Sequence, residues 1–128
     1  MSKVLIIEDD VPYQKVYKRK FEASGYTVEV AGDGIEGLEK MRSFQPDIVF
    51  LDIMMPKKDG FQVLDEAKAD AAIKDIPIVV MTNLSTDDDN QKLEQKGAID
   101  VIIKSNNEPN VLVVKAQKVL EQKANTGL

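Results

Sequence analysis

The chain reads as a doubly wound α/β domain, a five-stranded parallel sheet with helices on both faces. Three observations predict it. Four short runs are continuously apolar, Val4-Leu5-Ile6-Ile7, Ile48 to Leu51, Ile78 to Met81 and Val101 to Ile103, as suits strands buried on both faces. Segments with helical apolar spacing fall between them, so strand and helix alternate along the chain. Each apolar run also closes on polar groups: Glu8-Asp9-Asp10, Asp52, Thr82 and Lys104.

The elements follow in order. After the strand Val4 to Ile7, a helix over 10–24 carries Tyr13, Val16, Tyr17 and Phe21 on one face. Asp10 is its expected N-cap, Pro12 lies in its first turn and Gly25 ends it. Thr27-Val28-Glu29-Val30-Ala31 alternates, as expected of an edge strand with one wetter face. A helix over 34–44 carries Ile35, Leu38 and Met41, and Pro46 separates it from the third strand, which Asp52 closes. The segment Pro56-Lys57-Lys58-Asp59-Gly60 is turn chemistry, and Asp59 stands near the N-cap of a helix over 60–70 carrying Phe61, Leu64 and Ala67.

The fourth strand leads to the weakest helix, 86–96, whose only large apolar residue is Leu93. The run Asp87-Asp88-Asp89 lies in its first turn, where the helix dipole favours negative charge, and Gly97 is its stop. After the fifth strand, Pro109 leads into a helix over 109–123 carrying Leu112, Ala116, Val119 and Leu120. Val111, Val113 and Val114 add apolar surface beyond that stripe, for wider core contact or for a dimer or partner face. Residues 1–124 read as one domain and 125–128 as a frayed tail.

Composition narrows the chemistry. With 43% hydrophobic and 30% charged residues, the 128-residue chain has a soluble globular balance. No apolar run approaches the roughly 18 residues of a membrane span. Met1-Ser2-Lys3 leads directly into a strand, so neither a signal peptide nor a membrane association is expected, and a cytoplasmic location is. Cysteine is absent, which removes disulfides and thiolate chemistry. Histidine is absent too, which excludes Ser-His-Asp hydrolysis and His-ligated zinc. A bound metal must then be held by oxygens, which favours a hard cation such as Mg²⁺. A net charge of −5 argues against direct nucleic-acid binding. The cluster Lys15, Lys18, Arg19 and Lys20 is either a solvated helix face or a dock for an acidic partner.

In open parallel sheets the ligand crevice lies beyond the carboxyl ends of the strands. Four of the five strands deliver a functional group to that edge. Glu8, Asp9 and Asp52 would crowd like charges at one point, which is costly without a counter-ion. A solvent-facing, helix-capping role for Glu8 and Asp9 is the simpler alternative. The sharper one is a Mg²⁺ site: Asp9 and Asp52 as direct ligands, Glu8 through a water, and a backbone carbonyl such as that of Met54. A carboxylate can also attack phosphorus, and Asp52 is the expected nucleophile. Lys104 would supply positive charge and the Thr82 hydroxyl a hydrogen bond to a phosphoryl oxygen.

These residues carry a resemblance. Glu8-Asp9 after Val-Leu-Ile-Ile, Asp52 in Leu-Asp-Ile-Met-Met-Pro, Asp59-Gly60, Thr82 in Val-Met-Thr-Asn and Lys104 in Ile-Ile-Lys-Ser together resemble a response-regulator receiver domain of two-component signalling, of the single-domain chemotaxis-regulator kind. The resemblance spans essentially the whole chain. It implies the flavodoxin-like sheet order 2-1-3-4-5, a topology for which the receiver is itself a standard example. It implies phosphoryl transfer to Asp52, with Mg²⁺, from the phosphohistidine of a partner histidine kinase or phosphotransfer protein. It also implies a switched partner face on the fourth helix, fifth strand and fifth helix, open to an unknown downstream protein or a second copy. The missing histidine agrees, because the donor must then come from elsewhere.

Three positions depart from the family pattern. Ser105 stands where a proline preceded by a cis bond is usual, so this peptide bond is expected to be trans. Val101 replaces an aromatic that reports activation, so a switch must run through Thr82, the backbone or another side chain. Met54 and Leu84 at the site rim are apolar and cannot orient an attacking water, which predicts a long-lived phosphoryl-aspartate.

Two other readings stay open on the residues alone. A haloacid-dehalogenase-like phosphatase also uses an Asp nucleophile, Thr or Ser, Lys and Mg²⁺, but it needs an acid two residues after the nucleophile, where this chain has Met54. A receiver-like binding module that has lost phosphorylation is the other.

Overall fold

The computed structural model describes residues 2–55, 57–83, 87–106 and 108–126. Among the described residues, five strands and five helices alternate: β1 (Lys3–Ile7), α1 (Val11–Ala23), β2 (Thr27–Ala31), α2 (Gly34–Phe44), β3 (Ile48–Asp52), α3 (Gly60–Ala69), β4 (Ile78–Thr82), α4 (Asp87–Gln95), β5 (Asp100–Ile103) and α5 (Asn110–Thr126). A short 3₁₀ turn, Lys104–Asn106, joins β5 to α5. The strands form one parallel sheet in the order β2-β1-β3-β4-β5. This is the expected flavodoxin-like winding, with the alternating strand β2 at an edge.

Period-2 alternation splits the apolar runs between two layers. Val4, Ile6, Ile48, Phe50, Val79, Met81 and Ile102 pack against Tyr17 and Phe21 of α1 and Leu112, Val113 and Ala116 of α5. Leu5, Ile7, Val49, Leu51, Ile78 and Val80 pack on the other side, against Leu38 and Met41 of α2, Val63 and Leu64 of α3 and Leu93 of α4. Every residue of β3 and β4 is buried. No described helix is long and apolar enough to cross a membrane.

Several helix details differ from expectation. Asp10 occupies the N-cap position of α1, but its side chain makes no capping bond. Val16 and Ile35, expected on inward faces, are 41% and 46% exposed. They stand at the margins of stripes whose centres are Tyr17 with Phe21, and Leu38 with Met41, all buried. Asp59 does cap α3, in a reciprocal capping box with Gln62. Of the three valines outside the expected stripe of α5, Val113 is in the core, Val111 packs against it and Val114 is 41% exposed. α5 continues to Thr126, past the expected end, through residues such as Gln122, Lys123 and Ala124 that favour helix. The rest of the expected tail, residues 127 and 128, lies outside the described residues.

Candidate functional site

Register explains why the acids meet. β1 pairs with β3 so that Ile6 is level with Phe50, and both face the layer of α1 and α5. Two residues further on, Glu8 and Asp52 emerge on that same side, on strands about 4.8 Å apart. Carboxylate oxygens of Glu8, Asp9 and Asp52 lie within 4.8 Å of one another. Ile102 of β5 faces the same layer, so Lys104, two residues later, is delivered to the same corner.

The Lys104 ammonium donates to Glu8 Oε2 at 3.0 Å and Oε1 at 3.1 Å, and lies 3.6 Å from Asp52 Oδ2. The side chains of Lys104, Glu8 and Asp52 are 6%, 0% and 7% exposed, so these charges interact largely out of water. The ammonium also sits 4.0 Å from the centroid of the Tyr13 ring. Glu8 accepts from the Asp10 N–H at 3.2 Å, and its carbonyl accepts from the Gln14 side-chain amide. The Met54 N–H donates to Asp52 Oδ1 at 3.3 Å.

Burial dominates the titration of both inner acids. Burial, and then the charge of Asp52, pushes the Glu8 carboxyl up to about 7 against the pull of Lys104. Burial also raises Asp52 above the usual carboxylate range, although the Lys104 charge and the Met54 N–H work to lower it. For Lys104, burial favours the neutral amine, but the Glu8 hydrogen bond and the Asp52 charge outweigh it and the net shift is upward. The corner therefore carries more buried negative charge than one ammonium offsets. Three carboxylates within reach of one another, with Asp9 exposed at the rim, are a donor set that fits a hard divalent cation.

The remaining candidates fall around this cluster. Thr82 is fully buried and ends β4, one residue past Met81, the register partner of Asp52. Met54 is 64% exposed and lines a hollow of about 400 Å³ with Asp9, Ile53, Met55, Asp59 and Phe61. Gly60 lets α3 start against the end of β3: a Cβ there would lie 2.5 Å from Ile53 Cδ1 and 2.9 Å from the Asp52 carbonyl oxygen. The Gly60 N–H closes this turn on the Ile53 carbonyl at 3.0 Å.

All described peptide bonds are trans, Lys104–Ser105 included, as the missing proline predicts. Val101 is partly buried against the layer of α2, α3 and α4. Leu84 lies outside the described residues, as do Pro56 and the side chains of Asp87 and Asp88. Lys15, Lys18, Arg19 and Lys20 are all exposed. Sequence reasoning missed Tyr13 and Gln14 as site neighbours. It placed Tyr13 in an apolar stripe, and only the seating of α1 on the sheet next to α5 brings that ring to Lys104.

The family model described as response regulator receiver domain matches residues 4–117. The DNA-binding dual master transcriptional regulator RpaA of Synechocystis is 36% identical over 81% of the chain and 43% of its own length. A probable transcriptional regulator, ycf27, of Cyanophora paradoxa is 31% identical over 99% of the chain and 52% of its own. The chain thus spans about half the length of the curated relatives it matches. The chemotaxis protein CheY4 of Vibrio cholerae superposes with a TM-score of 0.86 at 28% identity, covering 93% of this chain and 98% of that one. A CheY-like receiver domain protein of Methanospirillum hungatei gives 0.89 over 98% of both chains; at 24% identity this is a likeness of fold alone.

Proposed function

This chain belongs to the response regulator receiver domain family of two-component signalling, and on that premise we propose that Asp52 is its phosphoacceptor. One Asp52 oxygen attacks the phosphorus of a partner's phosphohistidine. A P–O bond forms, the P–N bond breaks, and the released imidazole takes its proton from solvent. The observation that carries this reading is the convergence of Asp52 with Lys104, 3.6 Å away, beside Glu8 and Asp9. Lys104 neutralises charge on the phosphoryl oxygens, and the Thr82 hydroxyl donates to one of them. Asp9 and Asp52 would hold Mg²⁺ directly, Glu8 through a water, with the Met54 carbonyl completing the protein's share. The ion supplies electrophilic stabilisation of the phosphoryl oxygens when bound.

The donor is a histidine kinase or a histidine phosphotransfer protein. An apolar hollow of about 230 Å³ beside the site, lined by Asp10, Pro12, Tyr13, Val16 and Pro109, supports docking of its helix there. Exposed Val11 extends that surface. The chain acts as a signalling module rather than a turnover enzyme, with self-catalysed phosphoryl transfer and slow loss of phosphate. Phosphorylation shifts the surface of α4, β5 and α5 toward a downstream protein or a second copy. A cytoplasmic location follows from the reading, because the phosphodonors of such relays act there.

Intact mass before and after acetyl phosphate with Mg²⁺ tests the assignment. Wild type should gain one phosphate and Asp52→Asn none. A gain in Asp52→Asn, or none in wild type, would overturn it.

A further inference from the structure

We propose that Asn83 is a positioning residue for phosphoryl transfer, clasping the segment after Thr82 to the segment after Lys104. This rests on the reading of Asp52 as phosphoacceptor.

The last register pair of β4 and β5 is Thr82 with Ile103. Beyond it the ladder stops, at the level where the site begins. One step further on, the Asn83 side-chain oxygen accepts the Ser105 backbone N–H at 3.0 Å. The amide of Asn83 thus stands in for a ladder carbonyl and carries the coupling of the two strands past the end of the sheet. It does so between the immediate neighbours of the two groups that would contact the phosphoryl oxygens, the Thr82 hydroxyl and the Lys104 ammonium.

The pair is chemically matched. A proline at 105 has no N–H to donate, so the clasp requires the departure from the family pattern found here. It also requires a residue at 83 whose side chain offers an acceptor at short reach, which asparagine does. Ser105 belongs to the 3₁₀ turn Lys104–Asn106. Holding its N–H fixes the turn from which the Lys104 side chain reaches back to Glu8 and Asp52. With valine at 101, no aromatic side chain on β5 links that strand to Thr82. The Asn83–Ser105 bond supplies a link of another kind, through the backbone of 105. Its two ends stay in register, so a phosphoryl group that draws in the hydroxyl finds the ammonium already aligned.

The test follows phosphorylation by acetyl phosphate and Mg²⁺ over time in wild type, Asn83→Ala, Ser105→Pro, the double variant and Ser105→Ala. Mg²⁺ affinity of each is measured by calorimetry. Asn83→Ala and Ser105→Pro should each slow phosphorylation about three- to tenfold, the size expected of one neutral hydrogen bond. The double variant should be no slower than the slower single one. Ser105→Ala keeps the N–H and should match wild type. Mg²⁺ affinity, set by the carboxylates, should not change. A wild-type rate in Asn83→Ala, multiplied losses in the double variant, slowing in Ser105→Ala, or a parallel fall in Mg²⁺ affinity would each overturn the clasp. Wild type that takes up no phosphate would overturn the phosphoacceptor reading and the clasp with it. Phosphorylated wild type with an unaffected Asn83→Ala overturns the clasp alone.

Discussion

Lys104 is bonded to both carboxylate oxygens of Glu8, at 3.0 and 3.1 Å, and stands further from Asp52, at 3.6 Å. The fully buried Glu8 thus has the closer hold on the ammonium that the phosphoryl group would need. Breaking such a pair from one side leaves an uncompensated buried charge. Lys104→Met should therefore destabilise the protein by about 3 kcal/mol at pH 8. At pH 5, where Glu8 holds a proton, the loss should be much smaller. Urea unfolding of both proteins at the two pH values checks this; an equal loss at both would refute the pairing as its cause.

The raised Glu8 fixes the sign of a pH dependence. Its carboxyl titrates at its ordinary value of 4.5 when unfolded and at about 7 when folded. Between those values the folded chain keeps a proton that the unfolded chain has lost. The Glu8 contribution to metal-free stability should thus be fully present below 4.5 and be lost as pH rises to about 7, by roughly 3 kcal/mol. Asp52, also raised, adds to the same trend. Glu8→Gln should flatten most of the slope. The same proton competes with a cation, so Mg²⁺ should bind wild type more weakly at pH 6 than at pH 8. Urea unfolding across pH 4–8 and calorimetric Mg²⁺ titrations measure both effects.

Gly60 holds the loop after Asp52 in place by its lack of a side chain. A Cβ at that position would lie 2.5 Å from Ile53 Cδ1 and 2.8 Å from Ile53 Cα. The second contact is with backbone and cannot be relieved by a rotamer change. Gly60→Ala should cost about 1–3 kcal/mol and slow phosphorylation of Asp52, because the end of β3 must shift. Gly25→Ala, at a position where a Cβ meets nothing within 4 Å but φ is +93°, offers a contrast. It should lose stability through backbone strain and leave the phosphorylation rate intact.

Met54 sits at the rim of the acid cluster, 64% exposed, and its thioether is a poor partner for water. Loss of phosphate from the isolated, Mg²⁺-loaded protein should accordingly be slow. Met54→Gln, which adds a donor and an acceptor at the same reach, should hasten it several-fold. Decay of the phosphorylated mass with time decides it, and a rapid decay in wild type would refute the assignment of the rim.

Much of the site was legible in the sequence because strand ends are legible. Asp52, Thr82 and Lys104 each follow an apolar run whose length and continuity mark a buried strand, and parallel strands put their carboxyl ends on one edge. Asp59 was legible as a cap from its place just before a helical stretch, and the structure adds its reciprocal partner Gln62. Val16 and Ile35 were misplaced for the converse reason: helical spacing locates a face to within a residue, and the tertiary partner chooses its centre. The Asp10 side chain could have capped α1 and does not, while its N–H is used on Glu8.

By itself the sequence determined the alternation of strand and helix, the absence of histidine and cysteine chemistry, and the four strand ends that carry polar groups. These are matters of local pattern and composition, and they survive without knowledge of what packs where. Only the tertiary structure decided that Glu8 faces Asp52 rather than solvent, that Tyr13 covers Lys104, and that Asn83 reaches Ser105. Each of those contacts joins residues on different elements. The register of parallel strands and the seating of α1 on the sheet bring them together, and both are set by the packing of the whole core.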